Sequence, residues 1–151
     1  MPELPPTLTV AAWRGPDLAG SSDWIHELSG PEVADLERAV AAVRKSGRPR
    51  TELTRADVPL TDLGVAIGRW RDALAHGRGF VLARGLPVER WSLEEATLAY
   101  WIIGLHLGTP VPQNFHGELL TDVRDTGADP ADPSTRLYRT RAEQDFHTDG
   151  A

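Results

Sequence analysis

Apolar residues recur at three- and four-residue intervals in three stretches of this chain, and after Gly108 that rhythm stops. In the first stretch Val33, Leu36, Val40 and Val43 share one helical face. Pro31 opens this helix at its first position, Glu32 and Asp35 lie near the positive end of its dipole, and Arg44 and Lys45 precede Gly47 as its stop. In the second stretch Leu63, Ile67, Trp70 and Leu74 line one side, with Thr61-Asp62 as the cap and Gly77 as the terminus. The third carries a capping box, Ser92 with Glu95, preceded by Trp91, which can staple onto Ala96; Leu98, Ile102 and Leu105 form its buried stripe. Between the second and third helices, the glycine-bounded apolar run from Gly79 to Gly85 predicts a buried strand.

Outside these stretches the pattern is weaker. Residues 1–30, rich in Pro, Gly and Ser, predict an irregular leading arm, with a short extended candidate at Leu8-Thr9-Val10 and with Trp13 and Trp24 packing inward. The mixed-charge segment from Arg48 to Val58 predicts a surface connection. Beyond Gly108, Pro110, Pro112, Gly117, Pro130 and Pro133 punctuate short extended segments. Strands are expected at Leu119 to Arg124, at Leu137 to Thr140 and in the terminal segment through Phe146 to Asp149. The predicted class is α+β, a helical layer leading into a β-rich last third, with residues 31–151 forming the body of one domain.

Length and composition fit that organisation. The 151 residues, 40% of them hydrophobic, can bury a core. The net charge of -6, with 16 scattered basic residues, disfavours a phosphate backbone as partner, so no nucleic acid is expected. Cysteine is absent, so any metal must be held by nitrogen and oxygen donors. The start, Met1-Pro2-Glu3-Leu4-Pro5-Pro6, has neither the charge nor the apolar core of a secretory signal, and the run from Ala99 to Gly108 is too short to span a bilayer. A cytoplasmic protein without membrane contact is the expectation.

The candidate chemistry lies at the end of the sequence, in His147-Thr148-Asp149. Residues two apart on a strand point to the same side, so this imidazole and carboxylate can grip one face of a single cation. Five histidines and twelve aspartates give roughly 0.4 such pairs by chance, and a rival pair of the same spacing stands at His116-Gly117-Glu118. His116 sits in a loop flanked by Pro and Gly, whereas His147 follows Phe146 in an extended segment, which favours His147 and Asp149. The competing reading makes both ordinary polar residues of a chain terminus. Gln113 and Asn114 lie in the loop before the β-rich part, where an amide can hydrogen-bond a substrate. Arg136, Arg139 and Arg141 alternate along an extended segment and share a face, read as a solvated one; His26, His76 and His106 are assigned structural roles.

Five segments in order carry a resemblance: Gly79 to Pro87, Gly104-Leu105-His106-Leu107-Gly108, Gln113-Asn114 with Gly117, Asp122-Val123-Arg124-Asp125, and Phe146-His147-Thr148-Asp149. Together they resemble the opening half of the TauD/TfdA-like family of Fe(II)- and 2-oxoglutarate-dependent dioxygenases, over roughly residues 30 to 151. The resemblance implies a double-stranded β-helix, or jelly roll, flanked by helices, with His147 and Asp149 as metal ligands near its start. It also implies a distal histidine that completes the iron site and an arginine that anchors 2-oxoglutarate, both from late in the family's chain. Neither is present, so the expectation is an incomplete, truncated jelly roll that retains iron poorly and self-associates through exposed strand edges. The substrate implied is a small organic molecule. The alternative is a non-catalytic remnant or interaction module that keeps the helical layer without the metal site.

Overall fold

The computed structural model describes residues 12–114, 116–132 and 135–143. The chain divides into two compact units, residues 1–110 and 111–151, each described below by itself. The first unit is α+β: α1 (Gly15–Ala19), β1 (Ile25–Glu27), α2 (Gly30–Ser46), α3 (Asp62–His76), β2 (Leu82–Arg84) and α4 (Leu93–Leu107) follow in order. No helix among the described residues is long and apolar enough to cross a membrane.

Helices α2, α3 and α4 pack pairwise against one another and hold the core. Leu36 of α2, Leu63 and Ile67 of α3, and Ile102 of α4 are fully buried, together with Val58 from the α2–α3 connection. Each such side chain contributes about 2 kcal/mol on removal from water. The predicted stripes hold with two departures, a half-buried Val33 and an exposed Leu74. Leu74 is 45% exposed, and the buried face of α3 turns instead through Leu63, Ala66, Ile67 and Trp70.

The caps explain where the helices start. Ser92 and Glu95 form the expected capping box on α4, and Ser29 with Glu32 forms a second one on α2, which places Pro31 one residue inside the helix start. Gly47, at φ +66°, closes α2 in the left-handed conformation that a side chain disfavours. Thr61 does not cap α3 with its side chain. The Asp35 carboxylate reaches over from α2, accepting from the backbone N–H of Thr61 (2.7 Å) and of Leu63 (3.1 Å).

The sheet departs from expectation in extent and in partner. β1 and β2 run parallel, with Ile25 opposite Leu82, His26 opposite Ala83 and Glu27 opposite Arg84. The leading arm is therefore not irregular throughout, since it supplies α1 and one of the two strands. From the run Gly79–Gly85 only three residues form a strand, and Leu82 and Arg84 are exposed rather than buried. Phe80 is diverted into an aromatic cluster, 4.9 Å centroid to centroid from Trp13 and 5.6 Å from Trp24. Trp13 stays 43% exposed instead of packing inward, because its indole N–H is drawn to the carbonyl of Arg78. The candidate at Leu8-Thr9-Val10 lies outside the described residues.

In the second unit, the strands expected at Leu119 to Arg124 and Leu137 to Thr140 do not form: the first segment is irregular and Leu137–Arg139 is a single 3-10 turn. Backbone groups pair in local turns, as between Gly117 N–H and Asn114 C=O, with Gly117 (φ +77°) and Gly127 (φ +74°) reversing the chain. Short extended segments between prolines and glycines find no strand partner among the described residues, and extension alone is not a sheet.

Candidate functional site

His147 and Asp149 lie outside the described residues, and the nearest described segment ends at residue 143. Residues 124–127 are clasped onto residues 139–141. The Arg139 carbonyl accepts both the backbone N–H of Thr126 (2.8 Å) and its hydroxyl (3.1 Å). Asp125 accepts Arg141 Nε at 2.6 Å with one carboxylate oxygen and Gly127 N–H at 2.8 Å with the other. The Gly127 bond, then the Arg141 guanidinium, holds the Asp125 carboxyl below its ordinary value. The arginines do not share an extended face, because the 3-10 turn at 137–139 interrupts the segment and Arg141 is committed to Asp125.

Gln113 and Asn114 sit in the turn 113–118. The Asn114 side-chain oxygen accepts the backbone N–H of His116 (3.0 Å) and Glu118 (3.2 Å), and its amide donates to the Glu118 carboxylate. Gln113 donates from its side chain to the Val111 carbonyl (3.0 Å). Asn114 thus builds the turn, and the rival pair His116 and Glu118 stands across that turn rather than along a strand.

In the first unit, His106 is buried in α4 and donates from Nε2 to the Val58 carbonyl at 2.8 Å, a structural role as expected, while His76 is exposed at the end of α3. His26 has a carboxylate partner that spacing did not reveal: its Nε2 lies 3.1 Å from Oε2 of the buried Glu32, and its ring meets Trp70 edge-on. Burial raises the Glu32 carboxyl, but the Ser29 N–H, the Ser29 hydroxyl and His26 outweigh it and hold the group below its ordinary value. A cleft of about 480 Å³ between α2 and α4 is lined by Arg44, Arg48 and Arg50 above Val43 and Leu98. Two of those guanidiniums are already neutralised, Arg44 by Glu95 and Arg48 by Asp57. No group of three histidine or carboxylate side chains among the described residues is arranged to hold a metal.

Residues 43–151 match the taurine catabolism dioxygenase TauD, TfdA family. The chain belongs to that family. The TauD/TfdA match begins in the last turn of α2 and takes in α3, β2, α4 and the second unit, through His147-Thr148-Asp149. The chain is 30% identical over 145 residues to FR-33289 synthase of Streptomyces rubellomurinus, an alignment covering 95% of this chain and 43% of that protein. It is 27% identical over 97 residues to the taurine hydroxylase-like protein SAT17 of Stachybotrys chartarum, covering 64% of this chain and 25% of the relative. The chain thus spans less than half the length of these TauD/TfdA-type relatives.

Proposed function

We propose that this chain carries the first two iron ligands, His147 and Asp149, of an Fe(II)- and 2-oxoglutarate-dependent oxygenase acting on a small organic substrate in the cytoplasm. The supporting observation is that the TauD/TfdA match extends over the His-x-Asp pair, the spacing that sets an imidazole and a carboxylate on one side of a strand. The donor chemistry fits the metal: neutral nitrogen and anionic oxygen, in a chain without a single thiol, suit Fe(II). Relatives named a synthase and a taurine hydroxylase-like protein agree with oxidative chemistry on small molecules.

Within this reading the metal and 2-oxoglutarate, when bound, supply the oxidising power, and the protein supplies ligands, orientation and exclusion of water. His147 offers a neutral imidazole nitrogen and Asp149 an anionic oxygen. The third protein ligand and the arginine for 2-oxoglutarate that the family resemblance implies, with the greater part of a jelly roll, would come from beyond the 43% of the first relative that this chain covers. Gln113 is the candidate for substrate contact through its amide, with Asn114 holding the turn that presents it.

The test uses the product of the longest reading frame containing these residues. H147A and D149A are each expected to lose bound iron and to abolish succinate release from 2-oxoglutarate. Full iron content and turnover in both variants would overturn the ligand assignment, and a wild-type protein that neither binds iron nor releases succinate would make the non-catalytic interaction module the better description.

A further inference from the structure

The cleft between α2 and α4 divides its charges unevenly. Gly47, at φ +66°, turns the chain out of α2 in the left-handed conformation, and Arg48 and Arg50 of the connection thereby reach the same cleft as Arg44 of the last helical turn. Leu93, Glu94 and Leu98 of α4 form the opposite wall. Arg44 and Arg48 are each neutralised, by Glu95 and by Asp57. Arg50 and Glu94 are exposed, and neither side chain makes a hydrogen bond or an ion pair among the described residues, so they do not meet each other across the cleft. One cation and one anion are left open beside an apolar lining of Val43 and Leu98, both buried, and Leu93, which is 80% exposed. The volume of about 480 Å³ lies within the roughly 300 to 1,000 Å³ that small-molecule sites occupy.

We propose that this cleft binds a zwitterion with an apolar side chain, an α-amino acid of about the size of leucine, with its carboxylate at Arg50, its ammonium at Glu94 and its side chain against Leu93. A plain anion meets the Arg50 guanidinium but also the like charge of Glu94, and a plain cation meets the reverse. A ligand that carries both charges leaves neither group opposed. Covering Leu93 removes apolar surface from water, which favours a branched aliphatic side chain over a hydrogen atom. The inference is carried by residues 43–98 and does not depend on the reading of His147 and Asp149 as ligands.

The test is titration of the 151-residue chain with leucine, followed through the NMR methyl signals of Val43, Leu93 and Leu98, with circular dichroism as the control for folding. Partial ligands separate the contributions: 4-methylpentanoate lacks the ammonium, isoamylamine lacks the carboxylate and glycine lacks the side chain. Leucine is expected to shift the methyl signals saturably and to bind more tightly than any of these. R50Q should weaken leucine about five-fold, the upper range for exposed charges, and weaken 4-methylpentanoate but not isoamylamine. E94Q should weaken leucine to a similar extent, and weaken isoamylamine while tightening 4-methylpentanoate. Both side chains are exposed, so both variants should keep the helical signal. The absence of a saturable shift with leucine, or equal leucine affinity in wild type, R50Q and E94Q, would overturn the proposal. Binding of 4-methylpentanoate to the wild type as tightly as leucine would overturn it too, since Glu94 would then have no part in recognition.

Discussion

Asp35 fastens two helices with one carboxylate. It is 4% exposed, accepts the first free N–H groups of α3 through Oδ2, and receives Arg38 on Oδ1 at 3.1 Å. Removing it strands two backbone donors at a helix start, so D35A is expected to cost about 2 to 3 kcal/mol in urea unfolding, whereas R38A, which removes a largely exposed partner, should cost under about 0.5 kcal/mol. Equal costs in the two variants would place the stabilisation in the ion pair rather than in the cap. Nothing in the sequence around Thr61 reveals this acceptor, because it lies 26 residues away on another helix. The His26–Glu32 contact is hidden for a similar reason, its six residues crossing from a strand into a helix. The Ser29-Glu32 box, by contrast, has the same spacing as Ser92-Glu95 and is legible by the same rule, although Pro31, a residue that favours the first helical position, occupies the second.

At the scale of elements, the helices were legible because their signals are local: a cap, a period and a glycine stop within one window. The strands were legible only in part: the run Gly79–Gly85 does contain β2, but a strand is defined by a partner, and the partner of Leu82–Arg84 lies more than fifty residues earlier in a segment too short to show alternation. The join between β1 and α2 carries a carboxylate that makes it sensitive to acid. Glu32 sits below its ordinary carboxyl value of 4.5 in the folded chain. A depressed carboxyl stabilises the fold above its unfolded value, and that contribution fades as pH falls through the folded value. Asp23, Asp57, Glu95 and Asp125 are lowered too, so the acid limb of the wild type is a sum. The difference between wild type and E32Q isolates one member: it should be largest above pH 5 and shrink steadily below about 4.5. A difference that stays constant from pH 7 to pH 3.5 in urea titrations would show that the charge of Glu32 does not matter and only its hydrogen-bonding shape does.

For the whole molecule, the change of character after Gly108 in the sequence falls next to the division between the two units at Pro110, whereas the ligand pair, read from spacing and resemblance, lies outside the described residues. Among the described residues the first unit has a core of three helices and a sheet of two strands, with no third strand beside either. Parallel sheets are ordinarily covered and extended on both sides, so open edges are a route to association. Three-residue strands offer few backbone groups, and the resulting contact should be weak and concentration-dependent rather than a fixed dimer. Sedimentation velocity of the 151-residue chain is therefore expected to show a rising average mass with concentration. A chain ending at Pro110 should keep both its helical signal and this association, because both edges belong to the first unit. L82K, which sets a charge on a strand position that is 37% exposed, should reduce the association without unfolding the helices. A mass that does not change with concentration would mean that the edges are protected within the chain itself, and association lost on removal of residues 111–151 would move the sticky surface to the second unit.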